Sequence, residues 1–144
     1  NQNAAFIGIH DGIFDLVLDD RSVTGDDCYA DMEPSDASLV FDNLIENAIM
    51  YTDEGSILVT FEPRGHEIAV IVQDTGIGIP QTDQSRIFER FYRVDKARSR
   101  EVGGTGLGLS LVRHAVERSK GRVSVKSNPG EGSQFTVVFP RAKR

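Results

Sequence analysis

Disulfide-forming and zinc-binding residues are scarce in this sequence. Its 144 residues contain one cysteine, Cys28, and three histidines. A single cysteine cannot form a disulfide within the chain, and the scattered histidines do not supply the closely spaced ligands of a zinc cage. The sequence also lacks the ~18 apolar residues in a row that a membrane span needs, and its start has no signal-peptide pattern. We therefore expect a soluble fragment that is not membrane-bound.

The length and composition are those of one globular domain. Hydrophobic residues make up 39% of the chain and charged residues 26%, which excludes a disordered or fibrous protein. A chain of this length buries a hydrophobic core without disulfides or metal ions. No repeat, low-complexity tract or linker divides the sequence, so we expect a single domain over residues 1–144.

Charge is unevenly distributed along the chain. The net charge of -6 argues against a nucleic-acid partner. Residues 1–36 contain nine acidic residues and one basic residue, whereas residues 86–100 contain six basic and two acidic residues. A cationic segment inside an acidic chain indicates a small anionic ligand, although a solvated surface run would have the same composition.

Runs of β-branched and aromatic residues predict five strands. A first strand is expected at residues 13–18. Residues 56–62 and 67–74 predict one hairpin, and residues 122–127 and 133–139 predict a second. Because these hairpins are not separated by regular strand–helix–strand units, the order predicts an α+β fold, a two-layer sandwich of helices on a sheet.

Apolar periodicity predicts three helices. Residues 34–51 repeat apolar side chains at helical spacing, and a short amphipathic helix is expected at residues 83–92. A charged loop at about 93–103 leads to a helix at about 106–120. We expect that helix to end at Gly121 in the left-handed conformation, which glycine adopts without steric cost.

Six of the 14 glycines lie in two loops, and both loops suit the close approach of a ligand. Glycine lets backbone N–H groups approach phosphates, and a helix beginning directly after the second loop favours an anion. Turns and helix starts also produce such patterns, and neither the strand of a Rossmann motif nor the lysine of a P-loop is present. The glycines are Gly76, Gly78, Gly103, Gly104, Gly106 and Gly108.

Three polar residues are candidates for ligand contacts. Asn43 and Asn47 are four residues apart, so both carboxamides project from the same helix face. Either these amides address a polar ligand, with one amide oxygen suited to Mg²⁺ beside phosphates, or they have a surface or helix-breaking role. Asp74 ends a predicted strand, and its carboxylate either forms a turn or accepts a hydrogen bond from an amine such as that of adenine.

The order of four motifs resembles the ATP-binding catalytic domain of bacterial sensor histidine kinases. The resemblance includes the closing hairpin from Gly132 and covers residues 33–140, about three quarters of the chain. It implies a Bergerat-type ATP-binding fold with a mixed sheet covered on one face by about three helices. The motifs are Asn43-Leu-Ile-Glu-Asn47-Ala-Ile-Met-Tyr51-Thr52, Asp74-Thr-Gly-Ile-Gly-Ile-Pro80, Ile87-Phe-Glu-Arg-Phe-Tyr-Arg93 and Gly104-Thr-Gly-Leu-Gly-Leu109.

The resemblance also implies a role for each motif residue. Asp74 would bind the adenine amino group, Asn47 would hold Mg²⁺ with Asn43 assisting, and Arg93 would neutralise the γ-phosphate. Residues 93–104 would form a mobile lid. The implied catalytic residues are Asn43 and Arg93, and the implied nucleotide contacts are Asn43, Asn47, Tyr51, Asp74, Gly76, Gly78, Ile79, Tyr92, Arg93, Lys96, Gly104, Thr105, Gly106, Leu107 and Gly108.

The residue at position 43 distinguishes a kinase from an ATPase. Related ATPases that hydrolyse ATP carry a glutamate one turn before the magnesium asparagine, whereas this chain carries Asn43, which cannot abstract a proton from water. The resemblance therefore implies a protein-histidine kinase of two-component signalling rather than a self-sufficient ATPase. Met50 stands where the family usually has a lysine or arginine, so a nucleotide-binding regulatory module without kinase activity is the alternative.

The phosphoacceptor segment of such a kinase is not expected in this chain. His10 precedes a predicted strand and lacks the family's acceptor pattern, so the fragment, by itself a monomer, would not autophosphorylate. The implied partners are the phosphoacceptor and dimerisation domain of the same protein and the receiver domain of a response regulator. The resemblance implies a cytoplasmic domain whose homodimeric parent lies in the bacterial cell membrane.

Overall fold

The described part of the chain contains six strands and two helices. The computed structural model describes residues 3–10, 13–19, 33–94 and 108–140. The elements in chain order are β1 (Asn3–His10), β2 (Ile13–Asp19), α1 (Pro34–Met50), β3 (Gly55–Arg64), β4 (Glu67–Asp74), α2 (Gly108–Arg118), β5 (Arg122–Asn128) and β6 (Gly132–Pro140).

All six strands form one sheet in the order β2-β1-β3-β4-β6-β5. Each of the five pairings among these strands is antiparallel, so the expected mixed sheet is corrected to an antiparallel one in the described part of the chain. Short connections account for three of these pairings, since β1–β2, β3–β4 and β5–β6 are hairpins, which join only antiparallel neighbours. Both predicted hairpins and the predicted β2 strand are confirmed, whereas β1 was not predicted.

One face of the sheet carries both helices and the core between them. Along α1 the residues Val40, Leu44 and Ala48 are at most 1% exposed, because the repeat of four residues keeps them on one side. The buried side of α2 consists of Val112, Ala115 and Val116. These side chains pack with the inward residues of the central strands, including Val72 and Phe135. The α+β sandwich predicted from the sequence is therefore confirmed.

The expected helix at residues 83–92 is instead a series of turns. Asp83, Arg86 and Glu89 donate backbone N–H groups to carbonyls three residues earlier, at 2.9 Å each. The series ends at Phe91, whose φ of 65° is left-handed and cannot continue a helix. Within the described residues, two helices, α1 and α2, pack on the sheet.

The end of α2 differs from the predicted cap by one residue. Lys120, with a φ of 62°, adopts the left-handed conformation expected of Gly121. The Gly121 N–H donates to the Val116 carbonyl at 2.9 Å and the Lys120 N–H to the Glu117 carbonyl at 3.0 Å, the two bonds of a Schellman motif. Gly121 is needed for a different reason: a side chain does not fit there, since an added Cβ would lie 2.3 Å from the Val138 carbonyl oxygen.

An ion pair joins the beginning of α1 to the end of α2. The Arg118 guanidinium, in the last turn of α2, donates to both carboxylate oxygens of Asp36, in the first turn of α1. This hydrogen bond from Arg118 lowers the pKa of Asp36, with a further contribution from His114. In the described residues neither helix has the length and apolar character to cross a lipid bilayer.

Candidate functional site

Asp74 is a nearly buried carboxyl group at the end of β4. The residue is 3% exposed, and its Oδ1 accepts hydrogen bonds from the Gly76 N–H at 2.9 Å and the Ser133 N–H at 3.1 Å. Burial raises the pKa of Asp74, and the two backbone donors oppose that rise. Both hydrogen bonds are made by one oxygen, so the carboxyl group is fixed in orientation.

The loop after Asp74 is held between α1 and the β5–β6 hairpin. The Ile77 N–H donates to the Tyr51 carbonyl at 3.0 Å, and the Gly130 N–H donates to the Ile77 carbonyl at 2.8 Å. Both loop glycines are needed here, since an added Cβ would lie 2.1 Å from the Tyr51 carbonyl oxygen at Gly76 and 2.2 Å from the Asn128 carbonyl oxygen at Gly78. The loop backbone therefore lies directly against the end of α1.

Thr52 places a polar atom in this buried region without a protein partner. The residue is 2% exposed, and in the described part of the chain its Oγ1 is buried and makes no hydrogen bond. An added Cβ at Gly76 would lie 2.8 Å from that oxygen, so the hydroxyl faces the loop that follows Asp74. A buried hydroxyl without a partner costs stability, and a ligand or an ordered water at this position would supply the missing partner.

The two asparagines of α1 differ in their contacts. Asn43 donates through Nδ2 to the Leu39 carbonyl of its own helix at 2.7 Å. Its Oδ1 faces the first residue of α2, because a Cβ added at Gly108 would lie 2.8 Å away. Asn47 is half-buried one turn later, and no residue in the described segments hydrogen bonds with its carboxamide. The structure thus brings Asn43 to the start of α2 and leaves the Asn47 amide available.

Tyr92 is engaged within its own segment. Its hydroxyl donates to the Asp83 carboxylate, and the Arg86 guanidinium lies 4.6 Å from the ring centroid. The hydrogen bond to Asp83 raises the pKa of Tyr92, and burial adds to the rise. The Tyr92 ring packs at the edge of the core, so the backbone that leads into Arg93 is anchored at Tyr92.

The remaining predicted contacts fall into two groups. Ile79 is 7% exposed and belongs to the core, and Tyr51 is half-buried at the end of α1. The second group lies outside the described residues, together with most of the predicted lid: Lys96, Gly104, Thr105, Gly106 and Leu107.

Sequence reasoning did not identify the polar residues that surround Asp74 from other strands. Ser133 belongs to the closing hairpin noted in the sequence, but its donation to Asp74 joins residues 59 positions apart. Ser127 and Gln84 also bind this loop, but Ser127 accepts the Ile79 N–H from 48 positions away, and Gln84 donates to the Ser127 carbonyl from 43 positions away. Among the described residues no three His, Cys, Asp or Glu side chains cluster as an all-protein metal site.

Comparison with known proteins identifies the fold and its relatives. A family model described as histidine kinase-, DNA gyrase B-, and HSP90-like ATPase matches residues 32–143. The chain is 50% identical over 99 residues to the sensor-like histidine kinase SenX3 of Mycolicibacterium smegmatis, covering 68% of this chain and 26% of that protein. It is 40% identical over 124 residues to the sensor histidine kinase WalK of Bacillus subtilis, covering 83% of this chain and 20% of WalK. The chain thus spans about a quarter or less of the length of these relatives.

Solved structures of histidine kinases also resemble this chain in fold. The mycobacterial sensor histidine kinase MprB superposes with a TM-score of 0.72 at 25% identity, over 81% of this chain and 80% of that one. Full-length ShkA in complex with AMPPNP superposes with a TM-score of 0.65 at 29% identity, over 76% of this chain and 22% of ShkA.

Proposed function

This chain belongs to the family of histidine kinase-, DNA gyrase B- and HSP90-like ATPases, and from that premise we propose that it binds ATP with Mg²⁺ and supplies the γ-phosphate to a histidine of a phosphoacceptor domain. The observation that carries the proposal is the buried Asp74 carboxyl group, fixed through one oxygen beneath a loop that packs on α1. Its relatives are named sensor histidine kinases, and one structural neighbour is a complex with an ATP analogue.

Asp74 is suited to recognise adenine. Two backbone N–H groups hold Oδ1, so the other carboxylate oxygen accepts the exocyclic amino group of the base. The unpartnered hydroxyl of Thr52 faces the same loop and gains a partner when the base or an accompanying water is bound. A loop with fixed backbone needs no rearrangement to receive the base, which limits the entropic cost of binding.

Asn47 is suited to hold Mg²⁺. Its amide has no partner among the described residues, and magnesium takes few protein ligands when phosphates and water complete its shell. When bound, the ion neutralises phosphate charge and orients the triphosphate for transfer. Asn43 lies one turn earlier, where its Oδ1 meets the start of α2 and its Nδ2 is used within α1. We propose that Asn43 assists at the magnesium site from this position, with its Oδ1 facing the start of α2.

The phosphate groups would lie at the start of α2. Backbone N–H groups at a helix N-terminus favour anions, and Gly108 lets the helix start approach closely. Arg93, Lys96 and the backbone of residues 104–108 complete the proposed phosphate contacts, with Tyr51 at the end of α1 beside the nucleotide. Tyr92, whose hydroxyl donates to Asp83 and whose ring lies 4.6 Å from the Arg86 guanidinium, would flank the nucleotide together with Tyr51.

Transfer to a protein acceptor is favoured over hydrolysis. An imidazole nitrogen of the acceptor attacks the γ-phosphorus, the bond from that phosphorus to the bridging oxygen breaks, and ADP leaves with the electron pair. Positioning and charge neutralisation supply most of the acceleration, with Arg93 as the cation at the γ-phosphate. Hydrolysis would need a base for water, and the Asn43 amide is not a base.

The other partners follow from the same relatives. We propose that this chain is the cytoplasmic catalytic part of a longer sensor kinase, since it spans only 20–26% of the relatives named above. That kinase would be a homodimer in the bacterial cell membrane, with a phosphoacceptor domain in the same protein and a response-regulator receiver domain as the next acceptor.

A calorimetric titration tests nucleotide binding directly. The chain is titrated with a non-hydrolysable ATP analogue in the presence of Mg²⁺, and saturable binding with one nucleotide per chain is expected. The absence of binding at millimolar nucleotide would contradict the proposal.

A further inference from the structure

The hydroxyl of Ser127 joins three segments of the backbone around the Asp74 loop. Its Oγ accepts the Ile79 N–H at 2.8 Å, donates to the Gly132 carbonyl at 2.8 Å and lies 2.8 Å from the Ser133 hydroxyl. A serine hydroxyl has one proton to donate and two lone pairs to accept with, so these three partners use its full capacity. The geometry therefore fixes the loop after β4 and the start of β6 relative to each other.

Gln84 supports the same junction from the turn segment. Its side-chain amide donates to the Ile79 carbonyl at 3.0 Å and to the Ser127 carbonyl at 2.9 Å. One side chain thus bridges the loop after β4 and strand β5. Both polar groups of the Ile79 backbone are therefore hydrogen bonded at this junction. The Ile79 N–H donates to the Ser127 hydroxyl, and the Ile79 carbonyl accepts from Gln84.

The junction reaches Asp74 through Ser133. The Ser133 side chain contacts the Ser127 hydroxyl, while the Ser133 N–H donates to Asp74 Oδ1 at 3.1 Å. A Cβ at Gly132 would lie 2.0 Å from the Asp74 carbonyl oxygen, so the backbone of β6 and that of Asp74 are in direct contact here. We therefore expect a displacement of residues 132 and 133 to change the orientation of the Asp74 carboxyl group.

We propose that Ser127, supported by Gln84, is a positioning residue for the nucleobase, acting through Ser133 on the orientation of the Asp74 carboxyl group. The proposal rests on the proposed function, in which Asp74 accepts the adenine amino group. Ser127 itself touches no part of the nucleotide in this scheme. Ser127 affects selectivity for the base. The hydrogen bonds to Oδ1 determine the orientation of the Asp74 carboxylate, and that orientation determines where its second oxygen meets the base.

The first test compares base selectivity in matched serine variants. Ser127→Ala removes the hydroxyl, and Ser124→Ala is the control because Ser124 is exposed on the opposite face of the same strand. Affinities are measured by calorimetry for non-hydrolysable triphosphates of adenosine and of inosine, which has a carbonyl in place of the amino group. Ser127→Ala should weaken adenosine binding by about three- to tenfold and leave the weaker inosine binding unchanged.

The second test needs no nucleotide. The Asp74 carboxyl is titrated by NMR in wild type, Ser127→Ala and Ser124→Ala. Loss of the Ser127 hydroxyl should weaken the Ser133 donation and move the pKa of Asp74 further upward, since that donation lowers it. Ser124→Ala should leave the pKa unchanged, and Ser127→Thr, which retains a hydroxyl, should return both selectivity and titration toward wild type.

The outcomes separate this proposal from the proposed function. Equal loss of adenosine and inosine binding, or a lowered unfolding midpoint with unchanged selectivity and unchanged Asp74 titration, would show a merely structural role and overturn the proposal. If wild type binds no adenosine nucleotide, the proposed function fails, and the Asp74 titration then decides alone whether Ser127 positions that carboxyl group.

Discussion

At the scale of single residues, the protonation of Asp74 would limit the pH range in which the proposed site accepts the adenine amino group. Burial raises the pKa of this carboxyl above its ordinary value of 3.8, against two backbone N–H donors that lower it. Only the ionised group accepts fully through its free oxygen, since the protonated form carries a donor there. The site should therefore lose its acceptor on acidification at a higher pH than an ordinary aspartate would.

The affinity for an ATP analogue should accordingly fall as the pH is lowered toward the raised pKa of Asp74. Asp74→Asn should weaken binding at neutral pH by at least ~10-fold, because a hydrogen bond to a charged group is lost. Calorimetry across pH measures both effects. Titration of the nucleotide itself affects both proteins equally. The ionisation of Asp74 is therefore reported by the part of the pH dependence of affinity that wild type shows and Asp74→Asn does not. Equal pH dependence in the two proteins would contradict the assignment.

Asn47 and its neighbour Glu46 offer a matched test of the magnesium site. Asn47 is half-buried, whereas Glu46 is exposed and points about 100° away around the helix. Asn47→Ala should weaken binding of the Mg²⁺–nucleotide complex by at least ~10-fold, a loss of ~1.4 kcal/mol. When a chelator removes Mg²⁺, Asn47→Ala and wild type should bind the nucleotide with nearly equal affinity.

Glu46→Ala should leave binding unchanged with and without Mg²⁺. If Asn47→Ala weakens binding equally in chelator, the amide contacts the nucleotide or the helix rather than the ion.

At the scale of elements, the end of α2 carries conformational strain that another residue would relieve. Lys120 occupies the left-handed position of a Schellman motif, at a cost of about 1–2 kcal/mol for a residue with a Cβ. Lys120→Gly should therefore increase the free energy of unfolding by about 1 kcal/mol after its greater unfolded-state entropy is counted. Urea denaturation measures the change.

Two variants test the cause of that effect. Lys120→Ala retains the Cβ and the strain, and should change stability by no more than about 0.5 kcal/mol. Gly121→Ala should destabilise by about 1–3 kcal/mol, since its Cβ would lie 2.3 Å from the Val138 carbonyl oxygen. Stabilisation by Lys120→Ala equal to that by Lys120→Gly would refute the explanation from backbone strain.

Local patterns predicted most elements but not their exact ends. The repeat of Val40, Leu44 and Ala48 is enough to predict α1, because helix burial depends on spacing along the sequence. The choice between Lys120 and Gly121 as the left-handed residue depends instead on how closely β6 approaches Gly121, which is a tertiary contact. The turns at residues 81–91 also escaped prediction, since Asp83 and Tyr92 fix them through a side-chain bond.

At the scale of the whole molecule, topology assembles the site from distant segments. The loop after β4 contacts the end of α1 on one side and the β5–β6 hairpin on the other, because β6 pairs with β4. The candidate residues Asn47 and Asp74 were proposed from sequence order and resemblance, and their roles remain predictions. The supporting contacts of Ser127 and Gln84 were not predicted, since Ser127 binds Ile79 from 48 positions away and Gln84 binds Ser127 from 43 positions away.

The whole molecule also determines which reaction is possible. The Asn43 side chain donates within its own helix and provides no base, so this chain should bind ATP yet release phosphate only slowly. Mixed with the separately produced phosphoacceptor domain that we propose for the longer protein, and with ATP labelled at the γ-phosphate, it should place acid-labile label on a histidine of that domain. Asp74→Asn and Asn47→Ala should reduce the transfer, whereas Glu46→Ala should not.

Three results of that mixture distinguish the possible functions. Labelling of the acceptor with slow phosphate release fits a kinase in which positioning supplies the rate. Intact nucleotide binding with no labelling would favour a regulatory module. Met50, where the resemblance implies a basic residue, gives a physical reason, since one phosphate contact would be missing unless the lid supplies it. Rapid phosphate release by the chain alone would contradict the argument from Asn43, because water would then be activated without the carboxylate that hydrolysis requires.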